Sequence, residues 1–120
     1  MMLSQSLTYG LAAALLALSV REAVAPRTAA SSYGVPLPEG MEPTPYLEVK
    51  ANRDFVLAGL LVVAASASAP VLSAALFVGT IAPLADAFTV TRHGKTSGTA
   101  IHLATAAYLI VAGFLALSGR

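Results

Sequence analysis

The stretch VLSAALFVGTIAPLADAFTVTRHG, residues 71–94, decides the fold class. Its first fifteen residues, Val71 to Ala85, carry no charge, and Asp86 then appears before the apolar run has ended. A carboxylate at membrane depth is costly enough that such groups face a protein interior or a watery cavity and mark function. The stretch therefore reads as a membrane-spanning helix with a polar site near its far end.

The rest of the chain agrees with that class. With 57% hydrophobic and only 11% charged residues and no Trp, it is too apolar for a soluble domain with one core and a charged surface. It reads as an integral membrane protein whose first partner is the lipid bilayer. A formal net charge of +1 without any basic block gives no reason to expect nucleic acid. The absence of cysteine excludes a disulfide, a thiol nucleophile and a thiolate metal site.

Four apolar runs are visible: Leu3 to Val20, Phe55 to Ala69, Val71 to Ala85 continuing to Val90, and Ala100 to Leu117. A span needs about 20 mostly apolar residues. The second run reaches that length only if its helix starts near Tyr46, which places Arg53 and Asp54 inside it. Ala-Ser-Ala-Ser-Ala-Pro at 65–70 divides the second run from the third, and Pro70 suits the first turn of a new helix, so a tight hairpin is expected there. The fold expected is all-α, a single antiparallel bundle of four transmembrane helices at about 3–24, 46–68, 70–92 and 97–118. Ala23-Val24-Ala25 resembles a signal-peptidase site, but no Lys or Arg precedes Leu3 and Pro26 would follow the cut, so the first helix is expected to be retained.

Four alternating spans bring Arg21, Arg27, Lys50, Arg53, Arg92 and Lys95 to one end and leave Arg120 at the other. The positive-inside rule makes the charged end cytoplasmic and puts both termini on the opposite side. The linker at 26–45 carries Pro26, Pro36, Pro38, Pro43 and Pro45, a density that favours an extended, stiffened path. It is either a solvated connector or a lid over the bundle mouth, with Arg27, Tyr33 and Tyr46 reaching inward.

Gly98, His102, Ala106 and Gly113 share one face of the last helix, which turns His102 towards the bundle. At 1.5 Å per residue, Asp54, Asp86 and His102 lie at similar depth and can meet. Arg53 and Asp54 differ by about 100° around their helix, so only one can point at the centre. His93 follows Asp86 by seven residues and lies near the rim with Arg92, because Gly94 reads as a helix cap.

Two acids in unequal surroundings, steadied by an arginine, can supply one protonated donor and one ionised base. That suits epoxide hydrolysis, cyclisation or isomerisation of a lipophilic metabolite, a reaction type of secondary metabolism. The catalytic candidates are Asp54, Asp86, His102 and Arg53. Arg27, Tyr33, Tyr46, Arg92 and His93 are the candidates for holding the hydrophobic small molecule. No cofactor and no metal is expected, although Asp86, His93 and His102 offer a two-histidine, one-carboxylate alternative. No Gly-x-Ser-x-Gly elbow supports a serine hydrolase. The same residues also fit an internal salt bridge of Arg53 or Arg92 with Asp86 that only fixes helix register, or a proton path. A non-catalytic membrane subunit or scaffold, or less favourably a proton or small-molecule transporter, is thus the alternative to an enzyme, and homo-oligomer formation stays open.

Arg27 with Tyr33-Gly34, Arg53-Asp54 followed by Gly59, Asp86 followed by Arg92-His93-Gly94, and His102 together resemble a domain-of-unknown-function family of small four-helix membrane proteins of bacteria and fungi. The outline is similar to the broader DoxX-like group. This resemblance covers nearly the whole chain and implies the topology rather than a reaction. The proline-rich insertion at 36–45 makes the linker longer than the family outline requires.

Overall fold

A computed structural model describes residues 2–43, 45–94 and 96–120, and for Tyr46 the backbone alone. The described residues form six helical segments and no strand: α1 (Leu3–Val24), α2 (Pro26–Tyr33), α3 (Pro45–Ala65), α4 (Ala69–Gly79), α5 (Ile81–His93) and α6 (Thr96–Leu117). α4 and α5 stack into one 25-residue rod, Ala69–His93. The hitch between them has a local cause. Pro83 has no amide hydrogen to give the Gly79 carbonyl, and its ring crowds that turn. Thr80 stays in helical geometry at the joint, its amide donating to Leu76 and Phe77 and its hydroxyl to the Leu76 carbonyl at 3.0 Å.

α1 packs along α3, the α4–α5 rod packs along α6, and α1 touches α6 to join the two pairs. The contacts are made by alanines set around a few leucines. Ala64, Ala65, Leu72, Leu76, Leu109, Ala112 and Ala116 form the central cluster, and the Phe77 ring lies where a side chain at Gly113 would sit. Large apolar side chains point outward instead, among them Val24, Val78, Ile81, Phe88 and Phe114. An interior of alanine with an exterior of valine, isoleucine and phenylalanine is the arrangement that lipid selects, since helices there associate through close approach rather than apolar burial.

Three helices, Leu3–Val24, Ala69–His93 and Thr96–Leu117, are long and apolar enough to cross a membrane. The chain is accordingly a membrane protein. α3 falls outside this set because Glu48, Lys50, Arg53 and Asp54 crowd its first half.

At one pole the Ser4 amide and hydroxyl both donate to the Arg120 carbonyl, at 3.1 and 2.6 Å, and Gln5 Nε2 donates to the Ala65 carbonyl at 3.0 Å. The start of α1, the end of α6 and the α3–α4 turn therefore sit together. The opposite pole holds the end of α1, α2, the start of α3 and the α5–α6 turn.

One part of the linker departs from the extended path expected for it. Its first eight residues are helical, because Pro26 occupies the first turn, where its missing donor is not needed, and no further proline follows until Pro36. The helix ends at Gly34, in the left-handed region at φ 106°, with the Val35 amide reaching back to the Ala30 carbonyl at 3.2 Å.

Candidate functional site

Two glycines bring the site's elements together. A Cβ added at Gly98 would come within 2.7 Å of the Gly34 Cα and 2.8 Å of the Tyr33 carbonyl oxygen, so the end of α2 lies directly on the start of α6. Gly94 presses against the Gly34 carbonyl from the α5–α6 turn. Side chains at these positions would hold the helices apart. Tyr33, the residue before Gly34, is thereby set down into the polar pole.

A chain of charged side chains crosses that pole from α1 to α5. Lys50 is paired with Glu22 of α1 and, one helical turn along its own helix, with Asp54 at 2.7 Å. Arg53 Nε meets Asp54 Oδ1 at 3.2 Å, and its Nη2 reaches Asp86 Oδ2 at 3.5 Å. Asp54 is buried at 3% exposure, whereas the Asp86 side chain keeps 20% and that of Arg53 keeps 45%. Both members of the Arg53-Asp54 pair thus belong to this charged chain: the carboxylate is buried and the longer guanidinium folds back to it from the helix flank. Three carboxylates share two cations here.

Tyr33 is the hub. Its ring carries Lys50 Nζ on its face, 4.6 Å from the centroid, and meets the His102 ring edge-on at 4.5 Å. Burial, together with the Asp86 carboxylate that its hydroxyl faces, pushes the Tyr33 phenol well above its ordinary value. His102 Nε2 donates to the Tyr33 carbonyl at 3.2 Å. A carbonyl can only accept, which fixes the proton on Nε2. His102 therefore touches neither acid through a hydrogen bond. Asp54 and Asp86 are joined through Arg53, and His102 is joined to them only by way of Tyr33.

The remaining candidates lie elsewhere. The Arg27 guanidinium donates to the Pro38 and Met41 carbonyls, which makes it a clip on the linker rather than an inward-reaching ligand. Arg92 is exposed and lies over the Phe88 ring, 5.5 Å from its centroid, while His93 is exposed at the end of α5. The salt bridge to Asp86 is thus made by Arg53 and not by Arg92. The Tyr46 side chain lies outside the described residues. Among the described residues no three His, Asp or Glu side chains are placed to hold a metal ion, so Asp86, His93 and His102 do not form a ligand set.

Glu22 was not among the sequence candidates, and Lys50 counted only as one basic residue of the charged end. A signal for Glu22 exists. Ser4, Thr8, Ala12, Ser19 and Glu22 are the buried residues of α1, and their spacing of four, four, seven and three marks one small, polar face on which Glu22 is the last member.

No curated protein and no solved structure matches the chain. A family model does, over residues 12–116, a range that contains every member of the charged chain together with Tyr33 and His102. The chain belongs to the family described as Domain of unknown function (DUF4267).

Proposed function

We propose that this protein is a four-span membrane enzyme that carries out acid–base chemistry on a lipophilic molecule at its polar pole, with epoxide hydrolysis, cyclisation or isomerisation as the reaction class. The observation that carries the proposal is Arg53 set between two carboxylates of unequal enclosure, Asp54 and Asp86. Asp86 is the more open of the two and meets the substrate, with the Tyr33 hydroxyl beside it. In epoxide opening, one carboxylate takes a proton from water as the water oxygen bonds to a ring carbon. The ring C–O bond breaks and its oxygen receives a proton from the second acid. Arg53 keeps the two acids in register, and His102 is a positioning residue acting through Tyr33.

Two features support counting α3 as the fourth span. Its charges Lys50 and Asp54 turn inward, while Phe55, Val56, Leu60 and Val63 point outward like the lipid-facing residues of the other helices. The contact of Ser4 with Arg120 brings the start of α1 and the end of α6 to one pole, which agrees with an even number of crossings. The charged pole is assigned to the cytoplasm by the positive-inside rule. Any likeness to DoxX-like proteins is one of this outline.

Incubation of the purified protein in lipid nanodiscs with a panel of lipophilic epoxides in heavy-oxygen water tests the reaction class. The expected product is a diol carrying one heavy oxygen, or a cyclised isomer carrying none, and either is lost in Asp86→Asn. Unchanged substrate across the panel counts against the enzyme.

A second reading is favoured by a different observation. The chain Glu22, Lys50, Asp54, Arg53, Asp86 runs unbroken across α1, α3 and α5. Such a chain by itself can fix helix register in a non-catalytic subunit or scaffold.

A further inference from the structure

α5 carries a second feature, on a face that the charged chain does not use. Ile81, Leu84, Phe88 and Arg92 are all exposed, and their spacing of three, four and four lines them up along one side of the helix. Asp86 lies about 120° round the helix from Arg92. At 1.5 Å per residue the stripe runs for about 16 Å, roughly half of a hydrocarbon core about 30 Å thick. It is thus one leaflet long, apolar along its length and cationic at its end.

The direction of the Arg92 side chain sharpens this. An arginine near a helix end usually snorkels towards water. Here the guanidinium lies over the Phe88 ring, 5.5 Å from its centroid, so it is folded back about one turn towards the membrane centre. The 25-residue rod Ala69–His93 is about 37 Å long, more than the hydrocarbon core, which leaves its last turn near headgroup depth. Arg27 and Arg53 find carbonyls and carboxylates of the protein, whereas Arg92 meets no acceptor among the described residues. A guanidinium's planar fork of N–H donors matches a phosphate two bonds at a time. We propose that this face of α5 is a binding site for one anionic phospholipid, whose phosphate is held by Arg92 while an acyl chain lies along Phe88, Leu84 and Ile81. Anionic lipids belong to the cytoplasmic leaflet, the side to which the charged pole is assigned. A zwitterionic lipid fits the apolar stripe equally well but brings its own cation to compete for the phosphate. The site stands apart from the acid–base reading of Asp54 and Asp86, because occupancy requires no turnover.

Phosphatidylglycerol, phosphatidylcholine and inorganic phosphate test it, each added to the delipidated full chain in detergent and followed by a saturable rise in unfolding temperature. Phosphatidylglycerol is expected to bind about fivefold or more tightly than phosphatidylcholine, the preference that one basic residue near a membrane surface supplies. The preference should shrink as salt is raised. Arg92 is exposed, so Arg92→Gln should fold as the wild type does and lose the preference. Arg21→Gln removes an equal charge from an exposed position at the same pole and should keep it. Equal affinity for the two lipids in the wild-type protein, or an equal loss of preference in Arg92→Gln and Arg21→Gln, overturns the proposal. So does an equal shift by inorganic phosphate at the lipid concentration, which would make free phosphate the ligand.

Discussion

His102 Nε2 donates to the Tyr33 carbonyl oxygen across 3.2 Å, while the two rings meet edge-on, so one histidine of α6 holds both the backbone and the ring of the last residue of α2. His102→Phe keeps an aromatic ring there and removes the donor. The Tyr33 carbonyl then loses its partner, which typically costs about 1–3 kcal/mol when the group is buried. Thermal unfolding in detergent should show that loss, and His102→Gln, which retains a donor, should recover part of it. Wild-type stability in His102→Phe would mean that the ring contact alone seats Tyr33.

The contact between Gly34 and Gly98 makes a sharper demand. In Gly98→Ala the new methyl group would meet the Gly34 Cα at 2.7 Å, backbone that cannot swing aside as a flexible side chain can. Overpacking of this kind typically costs about 1–3 kcal/mol. Because the displaced element carries Tyr33, the substitution should also weaken whatever binds at the polar pole. Gly59→Ala is the control: a Cβ there meets nothing within 4 Å, and stability should be unchanged or slightly raised.

Much of this was legible in the sequence because lipid imposes simple constraints. Long apolar runs marked α1, the α4–α5 rod and α6, and the spacing of Gly98, His102, Ala106 and Gly113 marked the buried face of α6, all four of which are buried, whereas α2 fell in what read as an extended linker. Asp54, Asp86 and Arg53 were identifiable as charges out of place in apolar runs, and they do form one ion-paired group. What could not be read was partner choice. Whether Asp86 pairs with Arg53 or Arg92, and whether Arg27 turns inward or clips Pro38 and Met41, depends on side-chain reach across helices rather than on periodicity. Glu22 was hidden for a related reason: near the end of an apolar run, beside Arg21, an acid looks like a boundary charge until Lys50 comes across to meet it.

Tyr33 gives a pH signature. Its phenol is raised above the ordinary value of about 10, first by burial and then by Asp86, so the folded protein holds this proton more tightly than the unfolded chain does. A group of that kind contributes stability that is fully present below the unfolded value and is lost as pH rises from there through the folded one. Wild-type unfolding temperature should therefore fall more steeply above about pH 10 than that of Tyr33→Phe. In near-ultraviolet titration of the folded protein, Tyr33 should be missing from the phenols that ionise near their ordinary value. A Tyr33→Phe variant that removes part of that normal step would contradict the burial.

Topology is testable because the chain has no cysteine of its own. Single cysteines at Ser97→Cys, Ser66→Cys and Ser118→Cys mark the α5–α6 turn, the α3–α4 turn and the end of α6. With four spans and a cytoplasmic charged pole, a membrane-impermeant thiol reagent applied from outside should label the second and third and spare the first. Labelling of the first with protection of the others would reverse the orientation. A further cysteine at Glu39→Cys, exposed in the linker before α3, tests that helix: labelling of Glu39→Cys and Ser66→Cys from the same side would remove α3 as a span.

The two acids should separate catalysis from architecture, because they are held differently. Asp54 is nearly fully enclosed and holds both Lys50 and Arg53, so Asp54→Asn breaks a buried pair on two sides, a change that typically costs about 3–5 kcal/mol. Asp86 is more open, makes one ion pair, at 3.5 Å, with an Arg53 that still has Asp54, and otherwise faces the Tyr33 hydroxyl, to which an amide oxygen can still offer an acceptor, so Asp86→Asn should leave the protein folded with an unfolding temperature close to wild type. The amide keeps the carboxylate's shape but cannot exchange a proton, and assistance of that kind is typically worth about 10² to 10⁴ in rate. If the pole is an active site, Asp86→Asn should lose activity by that factor while remaining stable, and Asp86→Glu should recover part of it. A folded Asp86→Asn with near-wild-type turnover would rule out acid–base work by this residue. If instead Asp86→Asn unfolds as readily as Asp54→Asn, the charged chain acts as one structural unit, and the scaffold reading gains what the enzyme loses.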